Sequence, residues 1–338
     1  MPVTLGDSDG GDEIVDRLQA DILRRWRETA DQVAQTAAAI RERRLSLANT
    51  DDAIAERRER LRRRDGGRSG LADLEGLIDQ DDSVWLSFLS RGLTAARSVG
   101  RVITRRANGN PERPVGSGVL IAPALLLTNN HVIETAEDAA GTGVELGYDY
   151  ADDGSELPYD TYGFEPDRCF WTDEELDFTV VAIAGIDGTS PGEKYGVVPL
   201  IEPTGKALKA EALNVIHHPG GDRKRLSIRE NRLMAADELW LRYTSDTRPG
   251  SSGAPVFNDQ WEMVALHHGG LPMRDAEGTA LSGTGQPWTR DMGEEAKAYV
   301  ANEGARVSRI VRRLREAQPG QQQAKELIDQ ALQAGAHQ

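Results

Sequence analysis

The segment Pro249-Gly250-Ser251-Ser252-Gly253-Ala254-Pro255-Val256-Phe257 limits the possible folds of this 338-residue chain more than any other segment does. In it, a serine stands between small residues. Ser252 lies in a Gly-x-Ser-Gly-x-Pro turn, and an apolar strand follows it. Because glycine permits a sharp turn, the backbone N–H groups of Gly250 and Ser252 can point at one spot. The segment predicts a nucleophilic serine beside an oxyanion hole.

Two upstream segments supply partners for that serine, namely Leu127-Thr128-Asn129-Asn130-His131-Val132-Ile133 and Leu176-Asp177-Phe178-Thr179-Val180-Val181. A serine hydroxyl is a poor nucleophile unless a base takes its proton, and the base needs an acceptor that orients it. His131 is the predicted base, and Asp177 is predicted to hold its tautomer. Each piece is a weak signal alone. Together, in the order His, Asp, Ser and each beside an apolar strand, they predict an active serine hydrolase.

The three segments together resemble the trypsin-like, chymotrypsin-fold serine peptidases, and especially bacterial members such as the glutamyl endopeptidases and HtrA-like proteases. The resemblance runs from about Gly116 to Arg315. It implies a mainly β fold of two barrels ending in a helix, and endoproteolysis through an acyl-enzyme. Ser251 occupies the position where the digestive trypsins carry an aspartate that pairs with a newly cut N-terminus. We therefore expect no trypsin-like zymogen activation.

The resemblance also implies a substrate pocket, with two readings of its specificity. Thr247 and His267 match the Thr and His with which glutamyl endopeptidases bind an acidic side chain. Asp246 falls where trypsin carries the aspartate that selects Arg or Lys. Because a carboxylate repels an acidic ligand at low dielectric, only one reading can hold, and the two matching residues favour acidic substrates. His268 and Gly269 are predicted to line the same site.

Composition places limits on the compartment and the partners. The 110 residues before Pro111 hold 19 Arg and 19 acidic residues, so the whole net charge of −15 lies in the remainder. An acidic peptidase region argues against a nucleic-acid substrate. A single cysteine, Cys169, precludes an internal disulfide, and we find neither a signal peptide nor a membrane span. We expect a protein of the bacterial cytoplasm with no membrane partner.

Four regions are predicted along the chain. Residues 1–70 form an amphipathic helical region and linker, 71–100 a helical connector, 101–318 the peptidase domain, and 319–338 a polar tail. The apolar periodicity over 12–47 predicts one long helix that packs in a coiled coil or helical hairpin. A second helix, capped near Asn49–Asp52, ends in an Arg-rich run at about Arg64, interpreted as a solvated face or as a contact with an acidic partner or nucleic acid.

The function predicted from the sequence is cleavage of protein or peptide substrates, regulated by the helical N-terminus or by a partner that binds it. No cofactor and no metal are expected, because the His217-His218 pair lacks a convincing ligand set. One alternative is a catalytically silent module that captures peptides as an added strand. Another is a protease selective for Arg or Lys.

Overall fold

The computed structural model describes residues 9–64, 84–104, 113–228, 231–245, 247–293, 296–320 and 322–336. In this part of the chain, two antiparallel seven-stranded sheets carry the core, with helices before and after them. The predicted mainly β fold with a helical N-terminus is confirmed.

The first sheet is built from seven strands. They are β1 (Val99–Thr104), β2 (Arg113–Ala122), β3 (Leu125–Thr128), β4 (Thr142–Leu146), β5 (Asp160–Gly163), β6 (Phe170–Asp173) and β7 (Phe178–Ala182), and their spatial order is β5-β4-β1-β2-β3-β7-β6. Of these, β3, β4 and β7 are buried along their whole length. Strands β2 and β3 form the hairpin expected from their apolar runs. Leu126 and Leu127 are both fully buried but belong to different clusters of the core. Burial on both faces explains the continuous apolar runs in the sequence.

The second sheet holds the remaining strands. They are β8 (Asn214–His217), β9 (Arg225–Ser227), β10 (Leu233–Ala236), β11 (Trp240–Tyr243), β12 (Pro255–Phe257), β13 (Met263–Pro272) and β14 (Tyr299–Arg306), in the spatial order β10-β11-β14-β13-β12-β8-β9. Strand β13 pairs with β14 along its length, but its pairing with β12 ends at Leu266. Two backbone hydrogen bonds, from Gly253 N to His267 O and from His267 N to Ala254 O, extend that contact by one residue. The residues of β13 after His267 therefore keep one edge unpaired within the described chain.

The described helices are α1 (Asp9–Glu28), α2 (Ala30–Glu42), α3 (Asp51–Arg64), α4 (Ser87–Arg97), α5 (Ala136–Ala140), α6 (Pro191–Tyr195), α7 (Val307–Glu316) and α8 (Gln322–Ala336). The prediction of one helix over 12–47 was wrong. The segment breaks at Thr29, whose hydroxyl donates to the Arg25 carbonyl at 2.9 Å, and a short 3-10 turn, Leu45–Leu47, follows α2. A side chain that bonds the preceding turn competes with regular helix geometry.

The apolar stripe of the N-terminal helices is covered by the second sheet. Helix α1 lies on β13, and α2 lies on β10. The buried Thr36 hydroxyl of α2 donates to the Met234 carbonyl at 2.7 Å. Among the described residues, the predicted coiled-coil partner is thus replaced by β-structure of the same chain. The periodicity indicated that the stripe must be buried, but not by which element.

Helix α3 attaches the N-terminus to the second sheet through charges. The Thr50 hydroxyl accepts a hydrogen bond from Ala53 N, as the predicted cap requires. The Arg57 side chain is only 2% exposed and donates to Glu211 at 2.9 Å and to Gln260 at 2.6 Å. Arg60 pairs with Glu262 at 2.8 Å. These arginines therefore do not form a purely solvated face. Their acidic partners are carboxylates of the same chain, beside the second sheet.

The C-terminal segments also join the core. Helix α7 buries Val307, Ile310, Val311 and Leu314, as its pattern predicted. The segment predicted as a polar tail contains α8, which buries Ala324, Leu327, Ile328 and Ala331. The predicted linker at 65–70 and residues 71–83 of the connector lie outside the described residues. The rest of the connector contains α4, and β1 begins at Val99. The domain boundaries themselves stay predictions. None of the described helices combines the length and apolarity needed to cross a bilayer.

We expect Arg57→Met to lower the free energy of unfolding by about 3–5 kcal/mol, because it leaves the buried Glu211 carboxylate without its charge partner. The matched control in the same helix is Arg63→Met, whose ion pair with Glu59 is exposed and should contribute little. Urea unfolding followed by circular dichroism measures both. Equal effects from the two substitutions would contradict the assigned role of the Arg57 pair.

Candidate active site

The predicted base and its acceptor stand at the ends of neighbouring strands. His131 lies in a 3-10 turn just after β3, and Asp177 directly precedes β7. Strands β3 and β7 pair with Thr128 opposite Thr179, which brings the two turns together. The Asn129 side chain donates to the Asp177 carbonyl at 2.8 Å and fixes the connection. Asp177 has a φ of +48°, a conformation that Asp tolerates better than most residues.

The Asp177 carboxylate binds the turn of His131 at two points. His131 N donates to Oδ1 at 2.9 Å, and His131 Nδ1 lies 2.7 Å from Oδ2. Burial alone would raise the pKa of Asp177, but the hydrogen bonds and charge of the facing histidines outweigh it and hold that pKa well below its usual range. The carboxylate is therefore ionised and can only accept, so Nδ1 of His131 carries the proton and Nε2 is the free basic atom.

The pKa of His131 reflects two opposing influences. Burial lowers it, and the negative charges of Asp177 and, more weakly, Glu134 raise it, so that the net shift is upward. A base with a raised pKa needs a somewhat higher pH to be neutral, but it takes up a proton more strongly.

The serine turn is fixed by the first sheet. Gly250 and Gly253 have φ values of +92° and +84°, and a Cβ at Gly253 would lie 2.1 Å from the Ser117 carbonyl oxygen. Ser117, which is fully buried, donates from its N to the Ser252 carbonyl at 2.7 Å and from its hydroxyl to the Gly250 carbonyl at 2.8 Å. Glycine is thus required where the two sheets meet.

The two predicted oxyanion donors are available in this conformation. Among the described residues, neither Gly250 N nor Ser252 N has an acceptor within hydrogen-bond distance. The Pro249 carbonyl, which could otherwise turn inward and fill that position, accepts a hydrogen bond from Gly220 N at 2.5 Å. The His217-His218-Pro219-Gly220-Gly221 loop therefore holds the peptide group before Gly250. Two unoccupied N–H groups in one tight turn can stabilise a developing oxyanion.

The turns that carry Ser252 and His131 both approach Gly116. A Cβ built on Gly116 would lie 2.9 Å from Val132 Cγ2 and 3.0 Å from the Ser252 carbonyl oxygen. Both Ser252 and His131 are partly exposed. In the described part of the chain, no hydrogen bond joins the Ser252 hydroxyl to His131 Nε2. Such contacts often tighten only when substrate is bound.

The predicted pocket residues have polar partners behind the serine. The Thr247 hydroxyl donates to Asn302 Oδ1, and Asn302 Nδ2 donates to the Ser245 carbonyl at 2.7 Å. His267 Nδ1 lies 2.7 Å from the Tyr243 hydroxyl. Asp246, the alternative specificity residue, lies outside the described residues.

Two predicted substrate-binding residues have other contacts. His268 was expected to line the pocket, but its Nδ1 lies 2.7 Å from Asp177 Oδ2, the oxygen that also binds His131. Gly269 packs beneath helix α1, since a Cβ on it would meet Ile22 Cδ1 at 3.0 Å.

Sequence reasoning did not identify Ser117, Tyr243 or Asn302 as parts of the site. Their positions on β2, β11 and β14 give no local signal, because a polar residue within a strand is recognisable as functional only once its partner across the sheet is known.

In the ranges that the structure describes, one group of side chains has a metal-like composition, namely His131, Asp177 and His268. Both histidines meet the same carboxylate oxygen at hydrogen-bond distance, 2.7 Å. A shared cation would have to replace both hydrogen bonds. The side chains of the His217-His218 pair, considered above from the sequence, have different partners. His217 Nδ1 contacts the Ser251 hydroxyl, whereas His218 Nδ1 contacts the Asp222 carbonyl. We assign no metal site to either group.

Two antiparallel β-sheets with a His–Asp pair on one and a glycine-flanked serine on the other define the chymotrypsin-fold class of hydrolases. Residues 116–266 match the family model described as a trypsin-like peptidase domain. Residues 116–266 therefore form a trypsin-like peptidase domain.

The chain is similar to several other proteins. An uncharacterized protein, y4fB, of Sinorhizobium fredii is 38% identical over 266 residues, which cover 73% of this chain and 40% of that protein. A glutamyl endopeptidase of Staphylococcus aureus is 25% identical over 166 residues, covering 47% of this chain and 43% of its own length. The chain thus spans less than half of these relatives. The Rv3671c protease of M. tuberculosis in its active form aligns over 68% of this chain and 86% of its own, at a TM-score of 0.43 and 15% identity.

Proposed function

We propose that the protein is a serine endopeptidase that uses Ser252 as nucleophile, His131 as general base and acid, and Asp177 as the group that orients His131. The observation that carries the proposal is the paired contact of Asp177 with both the backbone N and the ring of His131. It lies beside a serine turn whose two N–H groups have no acceptor among the described residues. The peptidase family implies protein or peptide substrates.

In the proposed mechanism, the Ser252 hydroxyl oxygen attacks the carbonyl carbon of the scissile peptide bond while His131 Nε2 takes its proton. The carbonyl π pair moves to oxygen, where the N–H groups of Gly250 and Ser252 stabilise the negative charge. The tetrahedral intermediate collapses, the C–N bond breaks, and His131 gives its proton to the leaving amine. Water, deprotonated by His131, then attacks the Ser252 ester and releases the acid.

The unpaired edge of β13 after His267 supports an extended substrate. A peptide that adds to this edge as a strand would satisfy the backbone groups of Gly269 and Gly270 and would pass beside Ser252. The same edge also supports the alternative function, a binding module without catalysis, because strand addition needs no nucleophile.

Labelling by a fluorophosphonate separates the two functions. We expect the wild type to be labelled and Ser252→Ala to lose the label completely. Ser251→Ala is the matched control, since its hydroxyl is buried and contacts His217. It should retain the label. Absence of label from the folded wild type would favour the binding module, and the label in Ser252→Ala would place the nucleophile elsewhere.

We further propose that the enzyme cleaves after acidic residues. In the described residues, the Tyr243 hydroxyl has no acceptor other than His267 Nδ1, and burial raises the pKa of Tyr243 well above its usual value, so the hydroxyl stays protonated and donates. Burial also holds the pKa of His267 well below its usual value. A neutral His267 that accepts at Nδ1 carries its proton on Nε2, a donor suited to a carboxylate.

Digestion of a peptide library, analysed by mass spectrometry, tests the specificity. We expect cuts by the wild type after Glu or Asp, and none by Ser252→Ala. Thr247→Val, which keeps the side-chain volume but removes the hydroxyl, should lower kcat/KM for an acidic substrate about tenfold or more. Labelling by the fluorophosphonate, which carries no acidic side chain, serves as its control and should change little. Cuts after Arg or Lys would contradict the proposed role of His267 and assign the pocket to Asp246.

We also propose that the helical N-terminus regulates the site through α1. Gly269 has no side chain, and Ile22 of α1 lies 3.0 Å from where its Cβ would be, so α1 supplies the wall above Gly269. Arg25 of α1 pairs with the fully buried Glu303 at 2.5 Å and lies 4.5 Å from the centre of the Trp240 ring. A partner that displaced α1 would remove this wall.

We expect Arg25→Met to slow fluorophosphonate labelling several-fold, because Glu303 loses one of its two cations and the contact beside Gly269 loosens. The matched control is Arg24→Met, whose side chain is 57% exposed and pairs only within its own helix. Labelling is compared at a temperature where circular dichroism shows both variants to be folded. An unchanged rate would show α1 to be structural only, and a faster rate would indicate that α1 inhibits the enzyme.

A further inference from the structure

The Asp177 carboxylate binds two imidazole rings on one oxygen. His131 Nδ1 and His268 Nδ1 each lie 2.7 Å from Oδ2, and the two rings meet edge to face with centroids 6.0 Å apart. The mechanism proposed above uses the first histidine and gives no task to the second.

A β-bulge aims His268 at this carboxylate. In the pairing of β13 with β14, His267 stands opposite Gly304 and Gly269 opposite Glu303, so His268 is the extra residue between them. Such bulges redirect a side chain away from the regular alternation of a strand. The ring is 3% exposed and packs against Trp240 with centroids 4.7 Å apart.

The protonation state of His268 follows from its surroundings. An ionised carboxylate can only accept, so Nδ1 of His268 donates. Its Nε2 is buried and has no partner among the described residues. A proton on Nε2 would be a buried donor without an acceptor, which is costly. His268 therefore presents the N–H of Nδ1 to Asp177.

We propose that His268 is a positioning residue of the active site, which holds the Asp177 carboxylate in line with His131 and limits the basicity of His131 by drawing on the charge of Oδ2. The inference rests on the proposed serine peptidase function. Without the His268 donor, Oδ2 would hold more negative charge and bind the His131 proton more tightly.

The other ionisable groups around His131 act in known directions. Asp177 and, more weakly, Glu134 favour its charged form. On the other side of His268, Arg25 lies over the Trp240 ring and is paired with Glu303, so it adds little net charge there. Beside these charges, the His268 N–H is the group that shares Oδ2 of Asp177 with the His131 ring.

Two nearly isosteric variants separate the hydrogen bond from packing. His268→Asn keeps a donor near the position of Nδ1, and His268→Leu removes it. We expect the pKa of His131 to rise by about 0.5–1 pH unit in His268→Leu, since one hydrogen bond to a carboxylate is lost. It should stay near the wild-type value in His268→Asn. Titration of ¹³C-labelled imidazoles by NMR measures this shift, with the His131 signal assigned by its loss in His131→Gln.

The activity readout is the pH profile of fluorophosphonate labelling. Its acid limb should move up by the same interval in His268→Leu and return to the wild-type position in His268→Asn. Identical titrations and profiles in all three proteins would overturn the inference, and so would equal shifts in both variants, since packing alone would then explain them. If His268→Leu does not fold, His268→Phe replaces it as the variant without a donor.

The two proposals fail in different ways. A wild type that is never labelled contradicts the peptidase function. If the wild type is labelled but substitutions at residue 268 leave the titration of His131 unchanged, only the role of His268 is contradicted.

Discussion

A buried negative charge at the junction of the two sheets organises the proposed active site. Asp177 is 4% exposed, and its carboxylate accepts hydrogen bonds from the His131 backbone, the His131 ring and the His268 ring. A buried carboxylate without such donors would be protonated or would destabilise the fold. Both sheets therefore meet at this residue, since His131 follows a strand of the first and His268 belongs to the second. The contact that orients the base is also one that joins the two halves of the molecule.

The same constraint explains why the N-terminal helices are packed on the peptidase domain. Two further carboxylates of the second sheet, Glu211 and Glu303, are buried and receive their cations from α3 and α1. Arg242 alone, at 3.2 Å from Glu303, comes from the sheet itself. The sheet and the helices are thus electrostatically complementary. The acidic excess of the peptidase region and the basic surplus at the end of α3 are two sides of one interface.

The sequence was sufficient for those features that depend on local chemistry. The turn around Ser252, the strands before His131 and after Asp177, and the cap at Thr50 all follow from neighbouring residues. The break at Thr29 was not predictable, because the apolar period continues through it. The burial of α3 was hidden as well: a run of arginines reads as solvated unless the position of Glu211 and Glu262 in space is known.

The predicted place of His268 failed for a related reason. Residues 267 and 268 were assigned together to the substrate pocket, on the expectation that the strand continues regularly. Because His268 is the unpaired residue of a bulge in β13, the two side chains have different partners: His267 contacts Tyr243, and His268 contacts Asp177. The peptide unit between His267 and His268 thereby connects the proposed pocket with the carboxylate that holds the proposed base. That unit also precedes the edge where a peptide would add. In the proposed function, substrate binding therefore acts on a strand whose side chains hold both the proposed specificity group and the carboxylate behind the proposed base. A bulge costs one ladder hydrogen bond, and here it allows one strand to serve three parts of the site.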